Sequence, residues 1–332
     1  GFESQITHSL GEYNNVTPCF DSLVHVGILF SNMYASGTRT DKGLVSILSG
    51  FPAQSVNPII KFTRKIEKLP TLSKLLVNEG YSSLFIYGGN KQFTNMNSLI
   101  VAGGFEKVTD VADFDNSLRT FKWGVHDEYV YNTFSSQISR TKQPFIAYMI
   151  TLSNHEPFDV PTKKEFKSEN SDLLYLHAAR YADSCLGHFI RNAQKQIWWK
   201  NTLVILVADH ATIYPGNKPY TQLNRYQIPM LWLGGALMKK DTIVSNYCSQ
   251  TDIPRTVLKQ CGKDDKTFTY SRNILNRNNN GYALFCYNDG FGIISQSFCQ
   301  IYDNTTNRYS TYKGHFNGID SLIGKALWQQ VN

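Results

Sequence analysis

NTLVILVADHAT, residues 201–212, runs from an apolar stretch at 203–207 straight to a carboxylate and an imidazole, Asp209 and His210. Consecutive aliphatic residues bounded by polar ones read as a strand buried on both faces. In an open α/β sheet, ligands gather beyond the carboxyl ends of the strands. A buried strand that ends on two metal-competent side chains therefore points to a fold class and to a place for the site.

Outward from that stretch, SSLFIYGG (82–89) and PFIAYMITLSNH (144–155) are further apolar runs, and LPTLSKLLVNEG (69–80) reads as a helix stopped at Gly80. Residues 171–199 place Leu173, Leu176, Ala179, Ala182, Leu186, Phe189 and Ile190 near helical spacing, ahead of the strand at 203–207. IPMLWLGG (228–235) is another strand, and TDIPRTVLKQCG (251–262) a short helix with Gly262 as its stop. Apolar strands separated by helices predict an α/β fold: a mainly parallel central sheet with helices on both faces. The pattern changes near residue 263. YALFCYNDGFGIIS sets Asn-Asp-Gly between two strand-like runs, a hairpin signal. SFCQIYDNTTNRYSTYK continues as antiparallel strands and DSLIGKALWQQV closes as a helix. The expected organisation is a main domain over 1–262 and a small α+β subdomain with antiparallel strands over 263–332.

With 332 residues, 42% of them hydrophobic, the chain can bury a substantial core. Its 33 Lys and Arg against 26 Asp and Glu give +7, spread without the dense basic runs of a nucleic-acid-binding tail. Nucleic acid is therefore not an expected partner. No stretch approaches the roughly 18 apolar residues of a membrane span. The chain opens on GFESQITHSLG without a signal peptide, which leaves any targeting segment upstream. Six cysteines lack C-x-x-C spacing, so a structural zinc site is not expected. Cys286 with Cys299, or Cys248 with Cys261, could form disulfides; buried free thiols are the alternative.

Asp209 offers a hard oxygen and a neutral His210 a nitrogen, a mixture suited to zinc or manganese. The plainer alternative for such a pair is a hydrogen-bonded loop start. His155 leaves the end of its own strand in the same way. In NMYASGTRTDKGLVSILSG (32–50), Thr40 falls at a helix N-terminus, where unpaired N–H groups favour an anion such as phosphate. A plain N-cap is the alternative there. A bound metal could turn the Thr40 hydroxyl into a nucleophile, with Arg39 available for the charge of the transferred group. FKWGVHDEY (121–129) crowds Trp, His and Asp around a glycine, and in SNHEPFDVP (153–161) Pro157 and Pro161 stiffen the loop after His155.

SGTRTDKGLVSILSGFPAQ, KWGVHDEY, TLSNHEPFDVP and NTLVILVADH, in this order, resemble the extracellular catalytic domain of lipoteichoic acid synthases. These are phosphoglycerol transferases of the alkaline phosphatase/sulfatase superfamily. The resemblance extends to the NDGFG hairpin. It implies Thr40 as nucleophile and metal ligand, with Asp209 and His210 as further ligands of one divalent metal, Mn2+ ahead of Mg2+ or Zn2+. It makes His155 the histidine that contacts the substrate phosphate and assists proton transfer. It puts Trp123 in the segment forming the glycerol phosphate pocket, with Arg39 as a basic neighbour. The implied partners are a phosphatidylglycerol-like lipid donor and a glycan or polyglycerol phosphate acceptor. The implied location is outside the cytoplasmic membrane, anchored by upstream helices. Two departures stand out. Alignment places the family's fourth ligand, a glutamate, just before Gly1 together with the strand leading to it, with Glu3 as a substitute only after a shift. Ala211 also stands where glycine commonly follows the Asp-His pair.

The rivals are a sulfatase-fold ester hydrolase, a phosphoethanolamine transferase, and a non-catalytic module for anionic glycans or lipid head groups. Sulfatases resemble one another in a C/S-x-P-S-R motif, and GTRTDKG at the corresponding place disfavours sulfate ester hydrolysis.

Overall fold

A computed structural model describes residues 1–162, 170–263, 266–276, 281–314 and 318–331. The strands are β1 (Ile28–Phe30), β2 (Met33–Tyr34), β3 (Ser82–Tyr87), β4 (Lys107–Thr109), β5 (Phe145–Ile150), β6 (Val204–Val207), β7 (Met230–Leu233), β8 (Thr242–Val244), β9 (Cys248–Ser249), β10 (Tyr282–Tyr287), β11 (Gly290–Ser295), β12 (Cys299–Asp303) and β13 (Arg308–Lys313). The helices are α1 (Pro18–Val24), α2 (Thr40–Ser49), α3 (Thr63–Ile66), α4 (Leu72–Asn78), α5 (Met96–Ala102), α6 (Asp127–Arg140), α7 (Ser171–Ala193), α8 (Ile253–Gln260) and α9 (Gly318–Val331).

Two sheets carry the main domain. One has the order β4-β3-β5 with both pairings parallel; the other has the order β6-β7-β1-β8. In the second, β1 and β8 are parallel, while β7 runs antiparallel to both β6 and β1. The sheets are mainly parallel as predicted, with one exception at IPMLWLGG. Its apolar run marks a buried strand, but burial on two faces is indifferent to strand direction. Helices cover both faces, as alternating side chains on a strand require. On one side Ile28, Phe30, Met230 and Trp232 pack with Ile47 of α2, Leu76 of α4 and Val257 of α8. On the other, Leu29, Leu231, Leu84 and Ile86 meet Phe20 of α1, Phe134 of α6 and Phe189 of α7.

A slot separates the two sheets. Strands β5 and β6 each have a single partner, β3 and β7, and among the described residues no ladder joins them to each other. Every residue of both strands is only half-buried, whereas β7 is buried throughout. A cavity of about 1480 Å³ runs between them, lined by residues of both strands.

Helix α1 shows how distant residues complete this frame. Its first turn is not capped by Thr17. Asp183, buried on α7, instead accepts from the backbone N–H groups of Cys19 and Phe20, both at 2.8 Å. Asp183→Ala leaves one buried and one part-buried donor unpaired, at about 1–3 kcal/mol for the buried one and less for the other. We expect a stability loss of about 2–4 kcal/mol by urea denaturation. A loss near zero would show that water replaces the carboxylate.

The C-terminal sheet, β10-β11-β12-β13, is antiparallel throughout, and the Asn-Asp turn between β10 and β11 is the two-residue hairpin its sequence predicts. All six cysteines are free. Cys286 lies on β10 and Cys299 on β12 with β11 between, about 9–10 Å across two strand spacings and beyond disulfide reach. Cys248 is buried and Cys261 exposed at opposite ends of the α8 segment.

Candidate active site

Helix α2 starts at Thr40 with Arg39 as its N-cap, and ends at Gly50, whose φ of 59° places it in the left-handed region favoured by glycine. Strand β6 ends two residues before Asp209. The two ends meet. Thr40 Oγ1 donates to Asp209 Oδ2 at 2.7 Å, and His210 Nε2 lies 3.4 Å from both atoms. Thus three of the predicted site residues, more than 160 positions apart in the chain, converge on one point.

Hydrogen bonding fixes the state of each group. His210 Nδ1 lies 2.7 Å from the carbonyl of Ala211, which can only accept. Nδ1 therefore carries the proton, and Nε2 presents its lone pair to Thr40 and Asp209. Burial lowers the His210 pKa to about 4, so the ring is neutral at pH 7. Burial alone would raise the Asp209 carboxyl. The neighbouring His210 and the Thr40 hydroxyl reverse that, and hold it well below the usual carboxylate range. The backbone carbonyl of Ala211 is what orients His210, so the methyl group in place of the commoner glycine does not disturb this bond.

These states test the fit of a divalent cation. An ionised carboxylate, a hydroxyl and a neutral imidazole nitrogen form a donor set for manganese, magnesium or zinc. Their mutual spacing of 2.7–3.4 Å agrees with donors sharing one ion at about 2.1 Å. The three residues fit. Among the described residues no third His, Cys, Asp or Glu side chain joins Asp209 and His210 to complete a metal-holding group.

Glu3 does not supply that third side chain. The residue is fully buried, and both carboxylate oxygens accept from Lys218 Nζ, at 2.6 and 2.5 Å. Burial pushes its pKa up to about 7 against the pull of Lys218. The Gly1 nitrogen, not Glu3, faces the site, 3.4 Å from Asp209 Oδ1, while Asn154 Nδ2 donates to the Gly1 carbonyl at 2.7 Å.

The slot between the sheets opens at its carboxyl end onto this cluster, with Thr40, Asp209, His155, Trp123, Phe93 and Tyr87 around it. Trp123 and His155 stack edge to face at 4.8 Å, and Phe93 meets Trp123 at 5.9 Å. Trp123 Nε1 and His155 Nδ1 both donate to the carbonyl of Glu156. That leaves His155 Nε2 as the free ring nitrogen, and burial lowers the ring's pKa. Arg39 is exposed at the rim of α2. Sequence reasoning missed Phe93, although the strand-end rule applied to SSLFIYGG leads there. It also missed Gln250, whose amide touches the backbone of Asp209 and which no motif marks.

Comparison with known proteins gives a consistent picture. Residues 2–263 match the Sulfatase family. Lipoteichoic acid synthase-like YvgJ of Bacillus subtilis is 24% identical over 275 residues, 76% of this chain and 44% of that protein. Lipoteichoic acid synthase 1 of the same organism is 26% identical over 280 residues, 76% of this chain and 43% of that protein. This chain thus spans less than half the length of these two relatives. Among solved structures, a protein in the alkaline phosphatase superfamily from Vibrio parahaemolyticus superposes with a TM-score of 0.84 at 26% identity, covering 98% of this chain and 82% of that one. The lipoteichoic acid synthase LtaP from Listeria monocytogenes superposes at 0.82 with 21% identity, covering 99% and 88%.

Proposed function

This chain belongs to the sulfatase family, and we propose that within it the chain is a phosphoglycerol transferase: it moves glycerol phosphate from a phosphatidylglycerol-like lipid to a cell-envelope glycan or polyglycerol phosphate acceptor. The observation that carries this reading is the Thr40 hydroxyl set 2.7 Å from an ionised Asp209 and beside a neutral His210. A threonine keeps its plain hydroxyl, whereas formylglycine chemistry needs cysteine or serine at the nucleophile position.

Thr40 Oγ1, Asp209 and His210 Nε2 would hold one divalent cation, with Mn2+ as our first choice and Mg2+ or Zn2+ as alternatives. When bound, it favours the ionised Thr40 oxygen and offsets charge on the phosphoryl oxygens. Thr40 Oγ1 attacks phosphorus and its proton passes to His155 Nε2; the Thr40–phosphorus bond forms and the bond to diacylglycerol breaks. His155 Nε2 then gives that proton to the departing alkoxide. In the second step the acceptor hydroxyl loses its proton to the same nitrogen and attacks phosphorus; the Thr40–phosphorus bond breaks and the proton returns to Thr40 Oγ1. Burial disfavours the imidazolium, so Nε2 starts with a free lone pair and hands the proton on readily. Trp123 and Phe93 form the wall against which the glycerol moiety rests, and Arg39 at the rim meets the phosphodiester charge.

Among the described residues no helix is long and apolar enough to cross a membrane. We place the domain on the outer side of the cytoplasmic membrane, held there by helices upstream.

Head-group selectivity tests the reading. Incubated with Mn2+ and labelled lipids, the protein should release diacylglycerol from phosphatidylglycerol and leave phosphatidylethanolamine and an aryl sulfate intact. Preferential release from phosphatidylethanolamine would reassign the donor, and turnover of the sulfate ester would reassign the reaction.

A further inference from the structure

Gln250 lies between β9 and α8, fully buried, and takes no part in the chemistry above. Its amide nevertheless spans the two backbone segments that bring the reacting groups together. Nε2 donates to the carbonyl of Ala208 at 2.8 Å and to that of Asp209 at 2.7 Å, which uses both of its hydrogens. Oε1 accepts from the N–H of Ser36 at 3.0 Å, four residues before Thr40. The orientation of the amide follows from chemistry. Turned over, it would set oxygen against two carbonyl oxygens and an NH2 group against an N–H, losing all three bonds. One side chain thus ties the end of β6 to the loop that leads into α2.

We infer that Gln250 is a positioning residue for the transfer reaction, fixing the separation between Thr40 and Asp209 through the backbone on which each is carried. The inference rests on the function proposed above, but it is also legible in geometry alone. A three-bond amide with every donor and acceptor satisfied is rigid because any displacement unpairs buried groups. The contact it protects is short, 2.7 Å between Thr40 Oγ1 and Asp209 Oδ2. Another side-chain contact at Ser36, from its Oγ to Ser249 Oγ at 3.2 Å, stops short of the strand end.

Gln250→Met tests this, because methionine fills a similar volume without hydrogen bonds. Asp183→Ala, destabilised at a place remote from the site, is the comparison for lost stability alone. With Mn2+ alone as probe, we expect electron paramagnetic resonance titration to show binding weakened about 10- to 100-fold in Gln250→Met. Turnover of phosphatidylglycerol should fall about 100-fold in kcat with KM unchanged. Asp183→Ala should lower Tm and leave both quantities as they are. A crystal structure of Gln250→Met reads the same question without metal or substrate. A widened Thr40–Asp209 separation upholds the inference, and an unchanged one overturns it. A wild-type protein that binds Mn2+ but transfers no glycerol phosphate would end the proposed function while leaving this inference to stand or fall on binding and geometry.

Discussion

Thr40→Ala is expected to abolish the covalent loading of this protein with glycerol phosphate and to reduce lipid turnover by about four orders of magnitude or more, the scale on which loss of a nucleophile acts. Intact-mass measurement after exposure to phosphatidylglycerol and Mn2+ should show an adduct on the wild type, located at Thr40 by peptide mapping, and none on the variant. Thr40→Ser keeps a hydroxyl at the start of α2 and should retain partial activity. The fold should survive both changes, since Thr40 is at the first turn of its helix and only partly buried. An adduct that forms undiminished on Thr40→Ala would place the nucleophile elsewhere, and the reading of the whole cluster would go with it.

Gly43→Ala should be nearly as damaging, by a different route. A β-carbon at position 43 would sit 2.0 Å from the carbonyl oxygen of Asp209, far inside contact distance, and the obstruction is backbone that cannot swing aside. Helix propensity acts the other way, favouring alanine by about 1 kcal/mol. The overlap wins, because overpacking alone costs about 1–3 kcal/mol and here it displaces a strand end. We expect a net stability loss of up to about 2 kcal/mol and a fall in kcat of about 100-fold as Asp209 is pushed away from Thr40. Thermal melts and steady-state kinetics would check both. A more stable Gly43→Ala with full activity would mean that α2 can slide without cost.

How much of this could be read from the sequence differs by residue, and the differences have physical causes. Asp209, His210 and His155 announce themselves because each ends an apolar run, and a buried strand has one carboxyl end at which polar residues can emerge. Thr40 is marked by the change from loop to helical periodicity. Gly80 and Gly262 punctuate as expected, each with a positive φ. The direction of β7 is invisible, since an apolar strand buried on both faces carries no record of which way it runs. Glu3 misleads because its partner, Lys218, is 215 positions away, and proximity to the site along the chain says nothing about where a carboxylate turns. Phe93 and Gln250 belong to loops whose convergence is a property of the sheet order. Gln250 in particular sits among CSQTD, an ordinary polar stretch until Ser36 and Asp209 are brought to either side of it.

The C-terminal hairpin sheet reaches further into the catalytic half than its late place in the chain suggests. The N–H of Cys286 on β10 donates to the carbonyl of Ser36 at 2.8 Å, so the peptide groups flanking Ser36 are held by Gln250 through the N–H and by β10 through the carbonyl. Tyr34, Tyr226, Phe285 and Ile301 share one apolar cluster across the same border. The C-terminal sheet therefore works as a buttress under the threonine loop. Loosening the hairpin would reach the segment that leads to Thr40.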